Sequence, residues 1–243
     1  MLVGSVVVEE RGAVRLIIIN RPERKNALDL ATWDALRDAL RAVAADPNVG
    51  CAVLTGAGDT FCAGMDLNEF ADPSVFAGVD VEEQAYSGVM KALAGFDVPL
   101  IAAVNGAGVG FGMTVLPLCD LVVMADTARL KVPFVDMGVT TEGAASYLLP
   151  LSIGWQEAAR LVFTGDWLSA PEAKDLGLAW KVVPRERVVD EALALAERIA
   201  GTSVDSVRTS KRMMMAARAE AIEAAQRREL AEFARMMKAM RGQ

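Results

Sequence analysis

Apolar residues fall into two kinds of run along this chain. Residues 14–20 ("VRLIIIN"), 51–56 ("CAVLTG"), 100–106 ("LIAAVNG") and 121–125 ("LVVMA") are short, almost uninterrupted and rich in aliphatic side chains. Strands apolar on both faces belong to a buried, largely parallel sheet. Between the first two, Trp33, Leu36, Leu40 and Val43 recur at helical spacing behind Asp29. An aspartate there can accept a free amide at a helix start. Pro22 and the polar residues of "RPERKNAL" break the first strand before that helix begins. Strands alternating with helices predict an α/β fold.

Beyond about residue 140 strand signals fade and helices are predicted over roughly 142–149, 154–163, 171–176 and 187–200. Ser169 is placed to cap the third of these, with Pro171 in its first turn. From Asp205 onward the chain is rich in helix formers. Its Met and Leu positions are expected to pack on the core or on another subunit. The organisation expected is an α/β core over 1–190 and a helical region over 191–243.

The chain has 243 residues, 53% hydrophobic and 23% charged, enough for a large core. A net charge of −7 argues against general affinity for nucleic acid or an anionic membrane. Histidine is absent, which excludes Ser-His and Cys-His catalysis and makes zinc a poor fit. Cys51, Cys62 and Cys119 have no metal spacing and read as small buried hydrophobes. The N-terminal residues lack the pattern of a signal peptide, and the longest apolar runs are interrupted by Asn and Gly. A cytoplasmic protein is expected. A proton moved at neutral pH must then be carried by a carboxylate or another unusual base.

Two glycine-rich loops follow strands: 58–70 ("GDTFCAGMDLNEF") and 105–114 ("NGAGVGFGMT"). Free backbone amides at such junctions point outward, and glycine lets a ligand approach closely. Two such loops side by side can aim two N–H groups at one oxygen, an oxyanion hole. The second loop imitates a dinucleotide fingerprint with Gly106, Gly108 and Gly110, but Phe111 breaks the last interval.

"NRPERKNALD", "VLTGAGDTFCAGMDL", "PLIAAVNGAGVGFGMTVLPLCDLVVMA" and "LVFTGDWLSAPEAKDLGLAWKVVP" together resemble the crotonase, or enoyl-CoA hydratase/isomerase, family. They stand in the family's order over about residues 12–185. The resemblance implies a spiral of ββα units with an α-helical C-terminal trimerisation region, giving a homotrimer or hexamer. It implies an acyl-CoA substrate, with coenzyme A as part of the substrate and no further cofactor. Met65 and Phe111 take the positions whose backbone N–H groups hold the thioester oxygen, flanked by Gly64 and Gly110. Phe111 replaces the usual glycine. Ala63, Asp66 and Leu67 match the segment that meets the adenine, and Arg24, Lys25 and Ala27 match the turn beside the nucleotide.

Hydratases of the family use two glutamates to activate one water. Those positions are Thr114 and Phe134 here, and neither side chain is a base. "VPFVDMGVTTEGAAS" instead resembles the Δ3,Δ2-enoyl-CoA isomerases, in which a glutamate in a "TEG" context is the base. That residue is Glu142. Read without the family, Glu142 is foremost a helix-start charge favoured by the dipole. Asp136 is the second candidate, with a turn-capping role as its alternative. Three readings follow: a double-bond isomerase using Glu142, a hydratase or other crotonase-family reaction, and a non-catalytic acyl-CoA binder.

Overall fold

The computed structural model describes residues 3–71 and 85–240. A six-stranded sheet runs in the spatial order β1 (Val6–Arg11), β2 (Val14–Ile19), β3 (Cys51–Gly56), β5 (Leu100–Val104), β7 (Leu121–Ala125) and β10 (Lys181–Val183). β1 and β2 form an antiparallel hairpin, and every later pair is parallel. A second sheet runs β4 (Thr60–Cys62), β6 (Ala107–Val109), β8 (Arg129–Lys131) and β9 (Trp167–Ser169). Three times in succession the chain lays one strand in the large sheet and the next in the small one. Each turn adds a strand to the same edge of both sheets.

β2, β3 and β5 are buried along their whole length, as their unbroken apolar runs predict. The helix predicted behind Asp29 is α1 (Leu30–Ala45), and the Asp29 carboxylate accepts the Thr32 N–H at 2.8 Å. α2 (Leu67–Ala71) and α3 (Ala85–Ala94) follow the first glycine loop, and α3 packs on α1. The second loop leads into the single turn α4 (Phe111–Thr114).

Past residue 140 the chain differs from expectation in two ways. Strands do continue, as β9 and β10, but three residues are too few to display an alternating pattern. The helix expected over 142–149 is α5 (Ala145–Ile153), so Glu142 precedes it. Gly143 and Ala144 both have positive φ, 79° and 58°, and the right-handed helix cannot start through them. α6 (Trp155–Thr164) and α7 (Ala170–Asp175) follow, with Ser169 and Glu172 forming a capping box on α7.

α8 (Val188–Ala200) lies against the large sheet through Val188, Ala192, Leu193, Leu195 and Ala196, so the boundary expected near 190 falls inside a core helix. α9 (Val204–Ala216) turns charge toward the body and methionine away from it. Lys211 is buried and bonded to Asp120 at 2.6 Å and to the Val98 carbonyl at 2.8 Å, while Met213 and Met214 are exposed. α10 (Ala219–Met240) packs on α5 along a stripe that includes Ile222, Ala225 and Glu229. No described helix is long and apolar enough to cross a membrane. All three cysteines are buried free thiols, as expected.

Candidate active site

β4 and β6 are paired neighbours in the small sheet, so the glycine loops that follow them lie side by side. A Cβ added to Gly64 would stand 2.8 Å from the Val109 carbonyl and 3.5 Å from the Phe111 nitrogen. Contact this close admits only glycine, and Gly64 also has φ +84°.

Met65 is held extended by a one-residue bridge to Leu28: Leu28 N–H donates to Gly64 O at 2.8 Å and Asp66 N–H donates to Leu28 O at 3.0 Å. Successive amides of an extended chain point in opposite directions, which turns the Met65 N–H away from Leu28. In the second loop Gly110 takes the positive φ of 55°, and Phe111 is an ordinary first helical residue. The departure from glycine at 111 therefore leaves the turn intact. The Phe111 ring is buried edge-on against Trp33, centroids 4.8 Å apart. Among the described residues neither the Met65 nor the Phe111 amide has a hydrogen-bond acceptor.

Both residues line a cavity of about 590 Å³ together with Ala63, Gly64, Leu67, Gly110, Phe134 and Glu142. Its remaining wall is mainly apolar, from Trp33, Met90, Met137, Val139, Leu230 and Phe233. Glu142 Oε1 accepts the Thr114 hydroxyl at 2.8 Å. Oε2 is shut off from solvent and has no hydrogen bond of good geometry. Burial drives the Glu142 carboxyl up to about 7. The Tyr86 and Thr114 hydroxyls oppose that rise, and the nearby Glu229 carboxylate reinforces it. A half-protonated carboxyl at neutral pH can both take and return a proton.

The other predicted residues divide. Asp136 does not line the cavity; it is half-exposed and paired with Lys131 at 2.8 Å. Asp66 is buried with both oxygens engaged, Oδ2 by Arg21 at 3.3 Å and Oδ1 by the Asn68 amide at 3.1 Å. It shapes the loop from within. Arg24 and Lys25 are exposed beside the cavity-lining segment, to which the turn is tied by Ala63 N–H donating to Lys25 O at 3.1 Å. Ala27 gives its carbonyl to Arg21.

Asn26, Tyr86 and Glu229 were not expected at the site from the sequence, and Arg21 was expected only as one charge of a basic turn with Arg24 and Lys25. Arg21 bonds Asp29 at 2.8 Å and joins the turn to the first glycine loop. Asn26 is fully buried at φ 55° and donates to the Ala57 and Thr60 carbonyls. Glu229 had one legible sign: it is an acid at helical spacing from Ile222 and Ala225 on α10. Among the described residues no three acidic or cysteine side chains converge to hold a metal.

Residues 9–241 match the family model described as enoyl-CoA hydratase/isomerase. The chain is 33% identical over 230 residues to the 2,3-dehydroadipyl-CoA hydratase of Escherichia coli, covering 93% of this chain and 89% of that protein. It is 35% identical over 195 residues to the 1,2-epoxyphenylacetyl-CoA isomerase of the same species, covering 79% and 74%. Among solved structures, an enoyl-CoA hydratase/isomerase from Pseudoalteromonas atlantica superposes with a TM-score of 0.91 at 35% identity, covering 96% of this chain and 92% of that one. Matched along nearly its whole length in sequence and in fold, the chain belongs to the enoyl-CoA hydratase/isomerase family.

Proposed function

We propose that this enzyme moves the double bond of a 3-enoyl-CoA into conjugation, giving the 2-trans-enoyl-CoA, with Glu142 as its base. The observation that carries the reading is the hydrogen bond between Thr114 and Glu142: a hydroxyl stands where a hydratase carries its first glutamate, and it serves a carboxylate from another loop. Phe134, at the second hydratase position, adds an apolar wall.

The steps follow from placing the thioester oxygen between the Met65 and Phe111 amides. Glu142 removes a proton from C2, and the C–H electrons move into a dienolate whose charge rests on that oxygen. Two backbone donors stabilise it, an effect of about 3 kcal/mol for each donor removed. The protonated Glu142 then delivers the proton to C4, and the double bond settles between C2 and C3. No water enters, so an apolar cavity suits the chemistry.

Glu142→Gln tested on a 3-enoyl-CoA should lose turnover by about a thousandfold while still binding the thioester. Full turnover in that variant would remove the assignment. Hydration is the second reading, favoured by the likeness to a dehydroadipyl-CoA hydratase. If the unaltered enzyme hydrates crotonyl-CoA faster than it isomerises a 3-enoyl-CoA, hydration replaces isomerisation. Tight CoA binding without proton exchange at C2 in deuterated water would mark a non-catalytic binder. We propose a homotrimer or hexamer as the working assembly.

A further inference from the structure

We propose that Glu229, on the C-terminal helix, is a positioning residue for this reaction: it caps α5 from outside and thereby holds Glu142 at the thioester site. The inference rests on Glu142 being the base.

Helix α5 begins without a cap of its own. Its N-cap residue is Ala144, which has no side-chain oxygen to offer the free amides behind it. Glu229, 85 residues further along, supplies both acceptors. Its Oε2 takes the Ala144 N–H at 2.7 Å and its Oε1 takes the Ser146 N–H at 2.8 Å. The side chain is only 5% exposed and occupies the apolar stripe of α10 beside Ile222 and Ala225. An ionised acid is costly to bury and is tolerated where it is bonded to donors that also need a partner. With both oxygens committed, Glu229 is not a spare base.

The segment between cap and base is short. Gly143 separates Glu142 from Ala144, and a Cβ on Gly143 would meet Thr114 Oγ1 at 2.8 Å. Residues 142–146 are therefore pressed on one side against Thr114 of α4 and tied on the other to Glu229 of α10. Release of the cap would free a strained backbone, since Ala144 holds φ 58° without glycine's freedom.

Charge supports the same role. The groups facing Glu142 are the Thr114 and Tyr86 hydroxyls and the Cys62 thiol, with Glu229 behind them. Those facing Glu229 are Tyr86 and Arg228. Lys91, Glu223 and Arg227 border the same cavity. The negative charge of Glu229 raises the proton affinity of Glu142, so its removal should lower it.

The test is steady-state isomerisation of a 3-enoyl-CoA by the full chain, from acid to alkaline pH, for Glu229→Gln beside Glu142→Gln. Glutamine keeps one acceptor and loses the charge. The expected result is a kcat at least about tenfold lower at nearly unchanged KM, with the acid limb of the pH profile displaced to lower pH. A folded Glu229→Gln enzyme with the original kcat and acid limb overturns the proposal. So does a loss of activity that follows melting temperature alone while the acid limb stays in place. Should that variant not fold, Glu229→Asp keeps the charge but is one methylene short of spanning both amides. It should lose kcat with the acid limb unmoved, and an undiminished kcat there overturns the proposal equally. Retained turnover in Glu142→Gln is a separate result, which defeats the base assignment itself.

Discussion

Glu142 owes its proton affinity to burial, which raises it, and to hydroxyl donors, which lower it. Thr114→Val removes one donor at nearly constant volume. The carboxylate then loses a hydrogen bond, an effect of about 1.5–3 kcal/mol for a charged acceptor, and its pKa should rise further. As the proposed base, Glu142 must be ionised to act, so the acid limb of kcat/KM should move to higher pH in a pH–rate profile. That direction is opposite to the one expected for Glu229→Gln. Single residues were legible in the sequence when their chemistry was local: an acid flanked by threonine and glycine, a glycine pair, a phenylalanine where an acid is usual. Tyr86 was not, and Glu229 showed only as an acid at helical spacing from apolar neighbours, because their roles depend on which distant elements meet. Asp136 shows the reverse case. Its spacing allowed a base, and the Lys131 ammonium claims it instead.

At the level of elements, the first glycine loop acts as a spacer with no tolerance. Gly64→Ala would combine a strained φ of +84° with a Cβ only 2.8 Å from a backbone carbonyl, and neither atom can swing away. The loops should part and the Met65 amide should turn from the substrate. We expect kcat/KM for the thioester to fall by about a hundredfold in a steady-state assay, with little change in the far-ultraviolet circular dichroism. Long apolar strands were legible because a strand buried on both faces writes itself as an unbroken run. The four strands of the small sheet are three residues each and carry no period, so only their pairing reveals them. The start of α5 was misplaced for a related reason. The residue that caps it lies 85 positions away, and no local oxygen marks the boundary.

At the scale of the whole molecule, α5 and α6 carry three of the exposed large apolar side chains, Leu151, Trp155 and Phe163. Trp155 and Phe163 are 72% and 70% exposed, which fits a face covered by another copy in the proposed assembly. Glutamates at both positions should shift the mass measured by light scattering toward the monomer, whereas an unchanged mass would place the contacts elsewhere. The methionines of α9 fit the same expectation, since within one chain Lys211 and Arg208 take the inward side. The neighbouring strands β4 and β6 have one further consequence. Paired strands stand about 4.8 Å apart, close enough for an amide from the loop after each to reach one shared oxygen. In the proposed oxyanion hole, the spacing of the Met65 and Phe111 donors is thus set mainly by the sheet rather than by side chains. Under the proposed mechanism, acids entering from later turns of the coil can be exchanged without disturbing those two amides, so the same pair of donors can serve more than one proton transfer.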